Sequence, residues 1–332
     1  MATRFVLSVF VLFITVAFTG CSGQNTGKAT VAGGAKQLVT IRVAGDGNTN
    51  GAVMIANEIG LFREEGIEIK YTGALKGGAT ELQTIAQGIN DAFVGGHPPA
   101  LAQAILAGVK VKAVAPGMVD NREFPHVRYL VKEDSPIQSL RDIVGKKVSI
   151  NGTTSPCSDG YLKLWLKQNN LPVDIEWVQL RNPGQQEQAV KQGLVDMTTS
   201  HPPYAGIVLK QGGVRQIATS YDILKNPAAG LSIAGFSEKF IQEHPDIVRG
   251  FCRALAKGRL WINAHQKEAA EIVAKKNNLN PDEVSIFWYD EHAAIEPAYI
   301  ELWFKIAEDL EMWKAGAIEP TDIYTNEFAP GK

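Results

Sequence analysis

Two hydrophobic periods alternate along this chain. Residues 38–45 and 67–73 are short runs rich in β-branched side chains, a pattern typical of strands. Between them, residues 51–66 place apolar side chains at helical spacing and end at a glycine, which predicts an amphipathic helix. Alternation of strands and helices favours right-handed crossovers and mostly parallel sheets.

The same alternation continues to about residue 221. The predicted strands are residues 38–45, 67–73, 91–96, 111–117, 129–136, 147–152, 175–180, 195–200 and 215–221. The predicted helices between them are residues 51–66, 79–88, 99–108, 139–145, 159–171, 185–193 and 204–213. After Pro227 the pattern is helical, with helices expected at residues 237–243, 245–264, 266–277, 281–287 and 297–314.

A short repeat links the two halves of this series. Residues 86–99 and 191–203 both read Gln-Gly-apolar-x-Asp, then a strand, then His-Pro-Pro. Proline fits the first turn of a helix, so His97 and His201 are predicted to lie where a strand passes into a helix. Ligands bind at that edge of open α/β sheets. The repeat therefore suggests two similar lobes that present a histidine to one cleft, although two proline-rich helix starts would give the same pattern.

The first residues have the pattern of an export signal. Arg4 precedes an apolar run, residues 5–18, which is too short for a transmembrane helix, and Cys21 follows Thr19-Gly20. Residues 1–21 are therefore predicted to be a lipoprotein signal peptide with lipidation at Cys21, and the small polar residues 22–37 to be a flexible tether. We expect an exported protein, in the periplasm or at the outer face of the cytoplasmic membrane, held by a lipid anchor.

Charge and cysteine content narrow the possible functions. The chain has 332 residues and a formal net charge of −2, without a block of basic residues, so we expect no nucleic-acid partner. Cys157 and Cys252 could pair in an oxidising compartment, but two separate thiols are favoured, with Cys252 on the buried face of a helix.

Four stretches in order resemble the solute-binding lipoproteins of ABC importers for nitrate, sulfonates and taurine, and their pyrimidine-precursor-binding relatives. The stretches are ANEIGLFREEGIEI (56–69), QTIAQGINDAFVG (83–95), YLVKEDSPIQSLRDIVGKKVSI (129–150) and HPDIVRGFCRALAKGRLWINAHQKEAAEIVAK (244–275). The resemblance implies a two-lobed α/β fold of the periplasmic-binding-protein type II class. Each lobe is expected to be a mostly parallel sheet flanked by helices, with the ligand cleft between the lobes.

The resemblance also implies a division of the chain and a role. The first lobe is expected to comprise residues 38–128 and 228–332, and the second residues 133–222. Such a protein captures a small solute by hinge closure and delivers it to a permease driven by an ATPase. It performs no chemistry and needs no cofactor, and we expect a monomer that takes a small, anionic, sulfonate-, nitrate- or taurine-like solute.

Two of the loops expected to bind the solute are loops that this family directs into the cleft. Residues 150–162 combine hydroxyls with a helix N-terminus, which suits an anion, and residues 44–53 form the facing loop. The imidazoles can donate to an oxyanion, and an arginine after a second-lobe strand can reach a sulfonate. The candidate ligand-binding residues are Asn48, Thr49, Asn50, His97, Thr153, Thr154, Ser155, Cys157, Ser158, Arg181, His201 and Tyr204.

Several alternatives stay open. His97, His201 and Cys157 could bind a transition metal, but no local metal-binding spacing occurs, so no metal is predicted. His126, His244, His265 and His292 look structural or solvent-facing. A pyrimidine, another heteroaromatic ring or a metal-linked ligand is the alternative solute. A sensor that signals to a membrane receptor is another possible class. An enzyme on the same fold is less favoured, since no catalytic motif is found.

Overall fold

The computed structural model describes residues 38–45, 51–73, 80–151, 155–182 and 184–331. The strands in this part of the chain are β1 (Val39–Val43), β2 (Ile67–Tyr71), β3 (Ala92–Gly96), β4 (Val111–Pro116), β5 (Met118–Val119), β6 (Arg128–Lys132), β7 (Lys146–Asn151), β8 (Ile175–Leu180), β9 (Met197–Ser200), β10 (Val214–Thr219), β11 (Ile233–Ser237) and β12 (Trp288–Tyr289).

Helices alternate with these strands through the first two thirds of the chain, although residues 51–66 form two helices and residues 139–145 contain only a 3₁₀ turn, Leu140–Ile143. The α-helices are α1 (Gly51–Glu58), α2 (Leu61–Glu64), α3 (Glu81–Ala86), α4 (Pro98–Leu106), α5 (Tyr161–Gln168), α6 (Gln185–Lys191), α7 (Tyr204–Gln211), α8 (Ser220–Leu224), α9 (Glu238–Glu243), α10 (Pro245–Ala264), α11 (Gln266–Asn277) and α12 (Pro297–Asp309). A π-helical turn, Pro156–Gly160, leads into α5.

The two large sheets have the same strand order. The first runs β2-β1-β3-β11-β4, and the second, read from its other edge, runs β8-β7-β9-β6-β10. In each sheet the fourth strand is antiparallel to both neighbours, and the other pairs are parallel. β3 and β9 therefore occupy equivalent positions, and so do the segments that follow them. The repeat in the sequence corresponds to a repeat in the topology.

The antiparallel strand of each sheet, β11 in the first and β6 in the second, directly follows or precedes a segment that connects the two sheets. β6 enters the second sheet directly after the chain leaves β4 and β5, and β11 returns to the first sheet after β10 and α8. The sheets come from residues 39–116 with 233–237, and from residues 128–219. This arrangement is compatible with the predicted lobes, whose boundaries stay a prediction.

Buried apolar side chains hold the helices to the sheets. α10 packs on α1, where Gly258 permits close approach, since a Cβ at this position would lie 2.7 Å from the Cβ of Ala56. Trp303 of α12 is fully buried in the core, and its Nε1–H donates to the carbonyl of Ala228 at 2.7 Å. α12 thereby fixes the segment that returns the chain to the first sheet.

Two sequence-based expectations in the late region are wrong. Residues 233–237, which were included in an all-helical tail, form β11 at the centre of the first sheet. Residues 281–287, predicted to be a helix, form a turn and an extended segment that leads into β12. This segment lies against α7, and the hydroxyl of Ser285 accepts a hydrogen bond from the backbone N–H of Gly206 at 3.1 Å. Tertiary contacts override the local helical pattern there.

The cysteine prediction is confirmed for the two described residues. Cys157 and Cys252 are both free and buried, and Cys252 lies on the inner face of α10. The predicted signal peptide, the tether and Cys21 lie outside the described residues. In the described part of the chain, no helix combines the length and apolar character needed to cross a membrane.

Candidate functional site

A cavity of about 470 Å³ opens between the two large sheets. The segments after β3 and β9 meet there, and His97 and His201 both lie in its wall. Three helices begin at the same place. Gly51 starts α1, His97 directly precedes α4, and Tyr204 starts α7. The cavity therefore lies where open α/β sheets bind ligands.

His97 is held in one orientation. It is the residue before α4, and Pro98 and Pro99 form the first turn of that helix, as predicted. Its Nδ1 lies 2.7 Å from the carbonyl oxygen of Leu231, which can only accept, so Nδ1 carries the proton. The ring stacks on Trp303 with centroids 5.3 Å apart. The other ring nitrogen, Nε2, is thereby left with a free lone pair.

His201 occupies the equivalent position after β9 but enters its helix differently. α7 begins at Tyr204, after both prolines, so the prediction that His-Pro-Pro opens a helix is wrong at Pro202. The peptide bond between Pro202 and Pro203 is cis. Nδ1 of His201 is buried and has no hydrogen-bond partner among the described residues.

A third histidine, predicted to be structural or solvent-facing, lies beside them. His126 is 2% exposed, lies in the cavity wall, and precedes β6 by two residues. Because β6 is antiparallel to β9, its start lies beside the end of β9, with Arg128 opposite Ser200. The His126 ring lies edge-on between those of His97 and His201, with centroids 5.1 Å from each.

Cys157 completes the group, in the π-helical turn before α5. Ser155 caps this turn by accepting a hydrogen bond from the N–H of Ser158, which brings the thiol of Cys157 to the cavity wall. One donor atom each from Cys157, His97 and His126 lie within 4.8 Å of one another. We call His97, His126, Cys157 and His201 the thiol–imidazole cluster.

The side chains of the cluster shift one another's pKa values. Burial raises the pKa of Cys157, but the positive charge of His97 and the other two imidazoles outweigh it and hold this pKa well below its usual value. Burial lowers the pKa of His97, yet the thiolate and the Leu231 carbonyl leave it raised. Burial lowers the pKa of His126 to about 4.

The other predicted site residues fall into three groups. Arg181 is exposed and, with Tyr204, lines the cavity. Ser155 and Ser158 engage each other in the cap, with their hydroxyl oxygens 2.8 Å apart, and are not in the cavity wall. The remaining residues, Asn48, Thr49, Asn50, Thr153 and Thr154, lie outside the described residues. Solute contact stays a prediction for all of them.

One side of the cavity wall is formed by residues that the sequence did not predict to be there. Gln186 and Glu187 of α6 are buried there, and Glu187 accepts a hydrogen bond from the Ser200 hydroxyl. Phe287 comes from the segment wrongly predicted to be helical, and Tyr289 from β12, which follows it. No local motif marks these four residues, and only the fold brings them to the cavity.

The match to a family model decides where the chain belongs. Residues 48–269, about two thirds of the chain, match the model described as NMT1/THI5 like. The chain belongs to this NMT1/THI5-like family. A relative from Bacillus subtilis (strain 168), named as an aliphatic sulfonates-binding protein, is 26% identical over 282 residues, which cover 81% of this chain and 78% of the relative.

Solved structures show the same fold at low sequence identity. The ligand-binding component of an ABC-type import system from Staphylococcus aureus, solved with zinc bound, has a TM-score of 0.70 at 13% identity and covers 87% of this chain and 97% of its own. The periplasmic nitrate-binding protein NrtA from Synechocystis PCC 6803 has a TM-score of 0.69 at 13% identity, covering 89% of this chain and 88% of its own.

An enzyme also shares this fold. The desulfurization enzyme DszB has a TM-score of 0.61 at 16% identity and covers 87% of this chain and 97% of its own. The predicted fold class is confirmed: the chain has the α/β fold of periplasmic binding proteins, with mixed sheets flanked by helices. The fold by itself does not separate binding from catalysis.

Proposed function

We propose that this protein is the extracytoplasmic solute-binding subunit of an ABC importer, and that its solute is a small anion of the sulfonate, nitrate or taurine type. The observation that carries the proposal is the cavity between two topologically equivalent sheets, at which α1, α4 and α7 begin. The aliphatic sulfonates-binding relative matches over most of both chains, which supports the same solute class.

The wall of the cavity suits an anion for two reasons. The first turns of α1, α4 and α7 direct the positive ends of their helix dipoles at the cavity. Arg181 adds a guanidinium at the exposed side, where it can pair with two oxygens of a sulfonate. Tyr204, Phe287 and Tyr289 supply aromatic surface for the organic part of the solute.

Capture by hinge closure follows from this arrangement. We propose that residues 38–128 with 228–332 form one lobe and residues 133–222 the other, so that closure brings the two cavity walls onto the solute. The closed form then docks on a permease whose ATPase drives uptake. The protein acts as a monomer in this proposal and releases its solute chemically unchanged.

A thermal-shift screen tests the solute class. Alkanesulfonates, taurine, nitrate, a pyrimidine and a flavin are each added to the purified protein, and binding at about 100 times Kd stabilises the folded state by about 2.7 kcal/mol, or several degrees in Tm. We expect a sulfonate-type anion to raise Tm and to be recovered intact by mass spectrometry. A shift with uncharged ligands alone, or conversion of the sulfonate, would contradict the proposal.

We further propose that residues 1–21 direct export and that Cys21 carries a lipid anchor. The support is the sequence pattern, an arginine and an apolar run that end at a cysteine. The test is membrane fractionation of cells that produce the protein or its Cys21→Ala variant. We expect the native protein in the membrane fraction and the variant out of it, and equal distribution would contradict anchoring.

A further inference from the structure

The thiol–imidazole cluster gathers soft donor atoms from four separate parts of the chain. His97 follows β3, His126 precedes β6, Cys157 lies in the turn before α5, and His201 follows β9. The possible ligand atoms of His97, His126 and Cys157 all lie within 4.8 Å of one another. The group lies in the wall of the cavity, where an ion can enter.

His97 has the hydrogen bonding of an oriented metal ligand. Its Nδ1–H donates to the carbonyl of Leu231 at 2.7 Å, and its ring rests on Trp303. Histidine ligands usually bind through one ring nitrogen while the other donates to a carbonyl or carboxylate, which fixes the tautomer and the direction of the lone pair. Nε2 of His97 is left free for an ion.

His126 and His201 carry buried ring nitrogens for which the described residues supply no hydrogen-bond partner. His126 is 2% exposed, and neither of its ring nitrogens is hydrogen-bonded within the described part of the chain. Nδ1 of His201 is likewise buried and unpaired. Buried polar atoms in folded proteins almost always find a partner, so these lone pairs indicate a missing one. A neutral imidazole has one N–H and one lone pair, so a cation placed between the rings would satisfy one nitrogen of each ring.

We propose that the thiol–imidazole cluster is a binding site for a thiophilic transition-metal ion, Zn²⁺ or Cu⁺, with Cys157 Sγ, His97 Nε2 and a ring nitrogen of His126 as ligands and His201 as the fourth. Thiolate and imidazole are the ligands these ions select, and the set contains no carboxylate, which disfavours Mg²⁺ and Ca²⁺. The ligand atoms of a tetrahedral zinc site lie about 3.5 Å apart. Because the observed ligand atoms lie within 4.8 Å of one another, binding requires the side chains to close by at most about 1.3 Å.

Metal titration of the full chain tests this site directly. The protein is purified without a histidine tag, stripped with chelator and kept reduced. Zn²⁺ and Cu⁺ affinities are then measured by competition with chromophoric chelators, and Co²⁺ is added as a spectroscopic probe. We expect one ion per chain and a thiolate-to-cobalt charge-transfer band. Cys157→Ser is expected to abolish the band and to weaken Zn²⁺ binding at least about 100-fold.

Matched variants separate the site from the remaining thiols and imidazoles. His126→Ala is expected to weaken Zn²⁺ binding like Cys157→Ser, whereas Cys252→Ala, Cys21→Ala and His244→Gln are expected to leave it unchanged. Circular dichroism of each variant confirms folding. Absence of a bound ion, or affinity that survives Cys157→Ser with His126→Ala, would overturn the proposal. The solute screen is run on the chelator-treated protein, so failure of the metal site can be distinguished from failure of anion binding.

Discussion

The imidazole of His97 stacks on the indole of Trp303, with ring centroids 5.3 Å apart and ring planes 29° apart. The indole is itself fixed, because its Nε1–H donates to the carbonyl of Ala228 at 2.7 Å. His97 is thus positioned by a core residue of α12, far from it in sequence. Because His97 of the cavity wall contacts Trp303 of the core, a substitution at Trp303 is expected to alter the position of His97.

Replacing this indole is expected to lower both stability and metal affinity. Trp303→Phe removes the Nε1–H and part of the buried indole, so the Ala228 carbonyl keeps only the hydrogen bond from the Leu231 N–H. We expect the free energy of unfolding to fall by about 2–4 kcal/mol. Trp313→Phe is the matched control, since the buried Nε1 of Trp313 has no hydrogen-bond partner among the described residues. Urea denaturation measures the free energy of unfolding of the two variants. Equal decreases in Trp303→Phe and Trp313→Phe would contradict the assigned role of the Trp303 hydrogen bond.

The contact between α10 and α1 gives a second prediction. A Cβ on Gly258 would lie 2.7 Å from the Cβ of Ala56, so Gly258→Ala pushes α1 away and is expected to cost about 1–3 kcal/mol. Since Gly51 to Ile55 line the cavity, solute affinity should fall as well.

Gly250, in the same helix, is the control for this prediction. A Cβ there meets its nearest neighbours, in Glu65 and Ile67, at 3.4 Å. Gly250→Ala is therefore expected to be neutral or to stabilise by up to about 1 kcal/mol through helix propensity. Denaturation midpoints and calorimetric titration measure the two variants, and similar behaviour of both would argue against a close approach at Gly258.

The strand–helix alternation could be predicted as far as about residue 221 because each element has a local hydrophobic period. β11 could not, since its sequence, IAGFS, is short and has no alternation of apolar and polar residues. It becomes a strand because it lies between β3 and β4. At Gly235 the approach is so close that a Cβ would lie 2.0 Å from the carbonyl oxygen of Lys112.

The site could be predicted only where a local motif marked it. The His-Pro-Pro repeat indicated His97 and His201, and the helix start indicated Cys157. His126 has no motif and reaches the cavity because β6 runs antiparallel to β9, with Arg128 opposite Ser200. Sheet order depends on long-range pairing, which a local pattern does not contain. The absence of a metal-binding spacing was therefore weak evidence, because the four donors come from four elements.

Arg181 gives a prediction about solute charge. Its guanidinium lies in the exposed part of the cavity wall, so Arg181→Gln is expected to weaken binding of a sulfonate about 10-fold or more. Arg63→Gln, on the exposed side of α2, is the control and should bind normally. Isothermal titration at low and high salt measures both. An unchanged affinity in Arg181→Gln would remove this residue from the anion site.

Glu81 is expected to make stability depend on pH. Burial raises its pKa to about 8, although the N–H of Val94 donates to its carboxylate at 2.9 Å and opposes this shift. A glutamate in the unfolded chain titrates near about 4.3. Between those values the unfolded chain has lost a proton that the folded chain keeps. The free energy of unfolding therefore falls as the pH rises from about 4.3 to about 8.

Glu81→Gln removes this titration and retains an oxygen for the Val94 N–H. From pH 5 to pH 8, the native protein is expected to lose roughly 2 kcal/mol more stability than the variant, about half of the full linkage value because the side chain is partly exposed. Glu301→Gln, at an exposed position of α12, should follow the native curve. Urea denaturation at several pH values measures all three proteins. Parallel curves for the native protein and Glu81→Gln would show that Glu81 ionises normally in the folded state.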